Sequence, residues 1–192
     1  MIIHDISREL LSAPVYPGDP VATISKLTDL SQGDYANTSI IETCLHNGTH
    51  VDAPIHFYED AEDIASLDLN KVMGECAVIE WDGIMLGEDA EKLLPRLDHK
   101  ERVLFKGTAQ LSQSAAFVWL DAGVKLIGVE GTSVSTASET AVVHRDILSA
   151  GTVILEGLDL SKVKMGTYFL FAAPIKISGA DGAPVRALLI ER

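Results

Sequence analysis

Short apolar runs rich in β-branched residues recur along the whole chain, at Ile2–Ile6, Val21–Leu27, Thr38–Leu45, Cys76–Trp81, Arg102–Phe105, Lys125–Val129, Thr152–Leu155, Tyr168–Ala172 and Val185–Ile190. Several are apolar at consecutive rather than alternate positions, as in Val153-Ile154-Leu155, a pattern that predicts strands covered on both faces. Helical signals lie between some of these runs. Ser112 offers an N-cap to a segment that closes at Gly123, and Ser138 to Ala150 reads the same way before Gly151. A third segment, Glu88 to Leu94, stops at Pro95. The second half therefore alternates strand and helix. The first half reads as strands and loops, irregular around Pro14, Pro17, Gly18 and Pro20. With no repeat, low-complexity stretch or compositional break, the pattern predicts one α/β domain over residues 1–192.

Composition narrows the function classes more than the fold. The formal net charge of −13 leaves little to offset phosphate repulsion, which argues against nucleic acid and anionic membrane surfaces as partners. No apolar run approaches the roughly 20 residues of a membrane span, and the charged N-terminus does not read as a signal peptide. Two cysteines, Cys44 and Cys76, are too few for a disulfide framework and are expected as reduced thiols in a cytoplasmic protein.

The chemistry concentrates in His46-Asn47-Gly48-Thr49-His50-Val51-Asp52-Ala53-Pro54-Ile55-His56-Phe57, which holds three of the six histidines. His46, His50 and Asp52 are ligand types for a borderline divalent metal. Gly48, Thr49, Val51 and Pro54 argue against a helix here. In an extended segment, positions 46, 50, 52 and 56 share parity and can point to one side. Cys44 reads as a small buried hydrophobe at a strand end. Taken alone, His144 reads as a helix-surface histidine and Glu156 as a strand-end acid. The acidic run Glu59–Asp63 is expected as a solvated turn or helix start, and His4 and His99 have no partner in sequence.

The pattern His-x-Gly-Thr-His-x-Asp-x-Pro-x-His-Phe at 46–57 resembles the signature of the metal-dependent cyclase family, which includes kynurenine formamidase (arylformamidase) and isatin hydrolase. The resemblance runs over nearly the whole chain, through Tyr16-Pro17-Gly18-Asp19-Pro20, Lys125–Glu130, and the pair His144 and Glu156. It implies a swivelling β/β/α fold with a mixed sheet and flanking helices, assembled as a homodimer or homotetramer. It implies further that His46, His50 and Asp52 bind one metal, and that Asp52 bridges to a second held by His144 and Glu156. Zn²⁺ is the expected ion, in one or two copies, with Mn²⁺ the alternative.

In the same resemblance, His56 is the general acid/base and Tyr16 an aromatic substrate contact. The implied reaction is metal-assisted hydrolysis of a small amide, with N-formylkynurenine of tryptophan catabolism first and a cyclic amide such as isatin second. A metal-dependent binding protein without turnover is a third reading, which His56 disfavours. The chain departs from the family pattern at Glu130-Gly131-Thr132-Ser133, where relatives usually carry Gly-x-Asp-x-x-Ser. It departs again at Lys106-Gly107-Thr108-Ala109, in place of Thr-Gly-Trp, and the stretch from there to Leu120 is shorter than in most relatives. These segments shape the pocket and bear on substrate choice, while the metal ligands are untouched.

Overall fold

The computed structural model describes residues 1–191. Its strands in chain order are β1 (Ile2–Asp5), β2 (Thr23–Thr28), β3 (Thr38–Glu42), β4 (His50–Asp52), β5 (Met73–Glu80), β6 (Ile84–Met85) and β7 (Arg102–Lys106). After them come β8 (Gln110–Leu111), β9 (Leu126–Val129), β10 (Val153–Glu156), β11 (Gly166–Phe171), β12 (Gly182–Pro184) and β13 (Leu188–Glu191). The α-helices are α1 (Leu69–Val72), α2 (Gly87–Leu93), α3 (Gln113–Asp121) and α4 (Thr140–Ser149). Within the described residues, nine strands form one mixed sheet in the order β1-β13-β11-β5-β7-β9-β10-β4-β12. Its centre, β5-β7-β9-β10, is parallel, and the strands on either side pair antiparallel.

Alternation along the parallel strands builds two cores. Val103, Phe105, Ile127, Val129 and Ile154 pack with Ala115, Trp119, Val143 and Ile147 of α3 and α4. Leu104, Leu126, Val153 and Leu155 turn to the opposite face. There they meet Val51 and Ala183 from one end of the sheet and Leu170 and Leu189 from the other, so the sheet curls around this second core. Both faces are covered, which is why these strands read as unbroken apolar runs. The α/β class and mixed sheet with flanking helices expected from the chain are found.

Ser112 caps α3 as expected, its Oγ accepting from the Ala115 N–H at 3.2 Å. The segment expected from Glu88 forms α2 and continues past Leu93 into a 3₁₀ turn, Leu94–Arg96, which takes Pro95 in its first positions. The helix expected from Ser138 begins at Thr140. The run at 21–27 pairs with that at 38–42 as an exposed two-stranded ribbon outside the main sheet. The run at 185–190 is a strand only from Leu188. The short strands β4, β6, β8 and β12 carry too few residues to set up a period in sequence. The acidic run at 59–63 is a turn, and Asp63 caps the 3₁₀ turn Ile64–Ser66 that follows.

No α-helix of the described residues is long and apolar enough to cross a membrane. Cys44 and Cys76 are both free. Burial pushes the Cys76 thiol up to about 12, with the Glu75 charge adding to it, so it stays protonated and inert.

Candidate functional site

The site forms where β4 is held between β10 and β12. Antiparallel register sets Glu156 opposite His50, and directly opposed residues project from the same face of a sheet. Asp52, two residues along β4, shares that face. His144, on the buried side of α4, reaches the cluster from above the sheet, its Nε2 3.2 Å from Glu156 Oε1 and 3.8 Å from Asp52 Oδ2. His50, Asp52, His144 and Glu156 are only 2, 1, 3 and 4% exposed, so bulk water solvates none of them. The surface placement expected for His144 is thus overturned: its helix face packs on the sheet. Glu156 does end a buried strand.

Only His50 and Asp52 of the signature lie in a strand. His46 precedes it in a turn, and His56 sits in the 3₁₀ turn Pro54–His56, started by Pro54. Shared parity along one extended segment therefore does not bring the four together. Turn geometry does. His46 and His56 stack, with ring centroids 4.1 Å apart. Gly182 on β12 makes room for this, because a Cβ there would stand 2.8 Å from His46 Cε1. Behind the cluster, a Cβ on Gly157 would stand 2.1 Å from the Gly48 carbonyl oxygen. Glycine at 157, with φ +68°, allows β10 to turn away directly after Glu156.

Backbone partners aim the ligand atoms. His144 Nδ1 donates to the Thr140 carbonyl at 2.7 Å and His50 Nδ1 to the Gly48 carbonyl at 3.1 Å, which leaves each Nε2 facing the carboxylates. The Val134 N–H donates to Glu156 Oε1 at 2.7 Å. His50 Nε2 and Asp52 Oδ2 are buried without a hydrogen-bond partner. His50 Nε2 does lie 3.4 Å from Asp52 Oδ1 and 3.5 Å from Glu156 Oε2. Unpartnered buried nitrogen and carboxylate oxygen beside two further imidazoles form a donor set that a divalent cation satisfies. Among the described residues, two groups have ligand atoms mutually within 4.8 Å: His50, Asp52 and Glu156, and His46, Asp52 and His56. Asp52 belongs to both, and His56 stands within reach of the cluster.

Charge coupling is strong here. Burial opposes protonation of His50, yet Asp52 and Glu156 push it up to about 10. Burial likewise works against His46 and His144, which Asp52 and Glu156 respectively raise above the ordinary histidine value. Burial would raise Asp52 and Glu156, but the facing imidazoles hold both carboxyls below their usual range. His56 differs. Burial outweighs the pull of Asp52 and holds its pKa below 6.5, so it is a neutral base at pH 7.

One residue of the site was not anticipated. Asp181 Oδ2 lies 3.0 Å from His46 Nε2 and 3.4 Å from His56 Nδ1. An aspartate in an Asp-Gly turn carries no chemical signal in sequence; the pairing of β12 with β4 brings it in. Tyr16 lines the cavity of about 360 Å³ over the cluster, together with Cys44, Phe57, Thr132 and Ser133. Cys44, expected as a buried strand-end residue, lies beyond the end of β3 and is half-buried on this wall. The two departures from the signature pattern touch each other: Glu130 Oε2 accepts from the Gly107 N–H at 2.6 Å. His4 lies apart from the site, 3.7 Å from Glu191.

Over residues 4–136 the chain matches the family model Cyclase, described as "Putative cyclase". The kynurenine formamidase of Erythrobacter litoralis (strain HTCC2594) is 36% identical over 203 residues, covering 98% of this chain and 94% of that protein. A solved structure described as a "potential metal-dependent hydrolase with cyclase activity" superposes with a TM-score of 0.83 at 29% identity, over 100% of this chain and 98% of that one. An isatin hydrolase bound to the product analogue thioisatinate gives a TM-score of 0.85 over 99% and 92% of the two chains. At 18% identity, that last likeness is one of fold alone.

Proposed function

The chain belongs to the cyclase family, and from that membership and its buried histidine–carboxylate cluster we propose a metal-dependent amidohydrolase that converts N-formylkynurenine to kynurenine and formate. The observation that carries the reading is the pair of unpartnered buried atoms, His50 Nε2 and Asp52 Oδ2, with Asp52 lining a cavity that also exposes a neutral histidine. His46, His50, Asp52, His144 and Glu156 would hold the metal. Imidazole nitrogens and carboxylate oxygens without a thiolate suit one or two Zn²⁺ ions, with Mn²⁺ as the alternative. When bound, a divalent ion supplies Lewis-acid polarisation of a carbonyl and acidifies water at neutral pH.

The chain's own residues handle position and protons. Asp181 faces His56 Nδ1 and favours a proton on that nitrogen, which leaves Nε2 as the base. His56 Nε2 takes a proton from the attacking water and returns it to the aryl nitrogen as the C–N bond breaks. The Tyr16 ring on the cavity wall packs against the aryl ring. The amide substrate thus meets an apolar wall and a polar floor, the usual make-up of a small-molecule site.

A subunit assembly, homodimer or homotetramer, belongs to the same reading. The exposed ribbon β2–β3 supports it by presenting Ile24, Leu27, Ile40 and Ile41 at its surface. The unpaired thiols suit a reducing cytoplasm. Cyclic-amide opening, implied by the resemblance of the 46–57 signature, is the second reading. Assays with Zn²⁺- and Mn²⁺-loaded protein decide between them. Formate release from N-formylkynurenine is expected. Ring opening of isatin alone would replace the reading, and turnover of neither would leave a binding protein.

A further inference from the structure

A second cavity, of about 670 Å³, adjoins the one over the histidine cluster. Tyr16, Thr132, Ser133 and Thr140 line both, so the two form one continuous cleft. The larger chamber has one cationic and one anionic side chain in its wall, Arg8 and Glu130. Arg8 is tied into the signature itself: its N–H donates to Thr49 Oγ1 at 2.8 Å, and the Thr49 hydroxyl donates to the Gly157 carbonyl at 2.6 Å. Its Nη2 donates at 3.3 Å to the main-chain carbonyl of Glu130, not to the carboxylate. Among the described residues, Arg8 forms no salt bridge, and its Nε and Nη1 have no hydrogen-bond partner. Its charge assists the Ser161 hydrogen bonds in holding Asp159 low, but Asp159 does not line the chamber. The Glu130 carboxylate accepts one backbone N–H on each oxygen, from Gly107 at 2.6 Å and Leu160 at 2.8 Å, which leaves a lone pair on each.

A fixed cation and a fixed anion, neighbours in one wall yet not neutralising each other, are complementary to a small zwitterion. We infer that this chamber binds the α-amino-acid head of the substrate, with the Arg8 guanidinium taking its carboxylate and the Glu130 carboxylate its ammonium. The inference rests on the formamidase reading. With the formamide over the histidine cluster and the aryl ring beside Tyr16, the amino-acid arm of N-formylkynurenine extends into the larger chamber. A guanidinium presents paired donors that match a carboxylate, which a single point charge does not. A bare aryl formamide or a cyclic amide such as isatin has no group for either charge. The chamber therefore selects amino-acid-bearing aryl amides.

The test compares N-formylkynurenine with N-formyl-2-aminoacetophenone, which keeps the aryl formamide and lacks the amino-acid head. The metal-loaded wild type is expected to prefer the former. Arg8→Gln should reduce that preference in kcat/KM by about 10- to 100-fold, mainly through KM, and Arg8→Lys should restore part of it. Equal losses on both compounds would make Arg8 a structural residue and overturn the site. So would a wild type without preference. Formate release from neither compound overturns the formamidase reading and the site with it, a result distinct from equal turnover of both. If Arg8→Gln fails to fold, calorimetric binding to the wild type decides: kynurenine must bind more tightly than 2-aminoacetophenone, and equal affinity overturns the site.

Discussion

Glu156 stands directly across from His50 in the antiparallel pairing of β10 with β4, with Oε2 3.5 Å from the His50 Nε2. Residues more than a hundred positions apart thus act as one cross-strand pair. The neutral variant Glu156→Gln keeps the shape and removes half the charge that faces His50 and His144. Zn²⁺ affinity is expected to fall by more than about 100-fold, since even indirect partners of metal ligands are worth 10- to 100-fold. Metal content after dialysis against a buffered Zn²⁺ series reads this directly, and unchanged occupancy would remove Glu156 from the ligand set.

His56→Ala should leave metal content intact while turnover drops by about 10²- to 10⁴-fold, the usual contribution of a positioned acid/base. Its side chain is partly exposed, at 29%, so the fold should survive. Loss of the metal along with activity would instead identify His56 as a ligand, next to His46 and Asp52.

Asp181→Asn tests the residue that sequence did not reveal. The Asp181 charge favours protonated His56, so removing it lowers the His56 pKa further. Activity requires neutral His56, and the acidic limb of the kcat/KM profile is therefore expected to move to lower pH. A limb that stays in place would show that His56 does not set it.

The stabilisation given by metal should grow with pH. Without metal, His50 titrates near 10 rather than 6.5, so the stability from its protonation is present below pH 6.5 and fades as pH rises towards 10. Asp52 and Glu156 are held below 3.8 and 4.5, so their contribution is present above those values and lost on acidification. A metal requires neutral imidazoles and competes with these protons. Thermal melts with Zn²⁺ and with chelator, from pH 5.5 to 9, should show a widening gap. A gap that narrows towards pH 9 would contradict ligation by His50.

Gly157→Ala should cost about 2–4 kcal/mol in denaturant unfolding, because the residue has φ +68° and its Cβ would meet the Gly48 carbonyl oxygen. A loss below about 0.5 kcal/mol, within the range of an ordinary surface change, would show that β10 can turn without this close approach.

Much of the fold was legible wherever a segment was long and buried. β5, β7, β9 and β10 carry consecutive apolar residues because both faces of the sheet are covered, and α3 announces itself through the Ser112 cap and Gly123. The three-residue strands β4 and β12 were silent, since two or three residues cannot display a period. The ribbon β2–β3 was legible as strands but not as exposed ones, because its β-branched residues satisfy local strand preference without burial.

The site divides along the same line. Sequence by itself determined the chemistry that the site concentrates, because His46, His50, Asp52 and His56 fall in one short segment shaped by Gly48 and Pro54. Ligand type is a local property of side-chain chemistry. Convergence is not. The β4–β10 register, the inward face of α4 and the β12 turn decided that Glu156 opposes His50, that His144 is buried rather than exposed, and that Asp181 touches two histidines. The same holds for Arg8 and Glu130, far apart in the chain and neighbours only in the folded wall. Local pattern encodes what each residue can do, while long-range strand pairing settles which residues do it together.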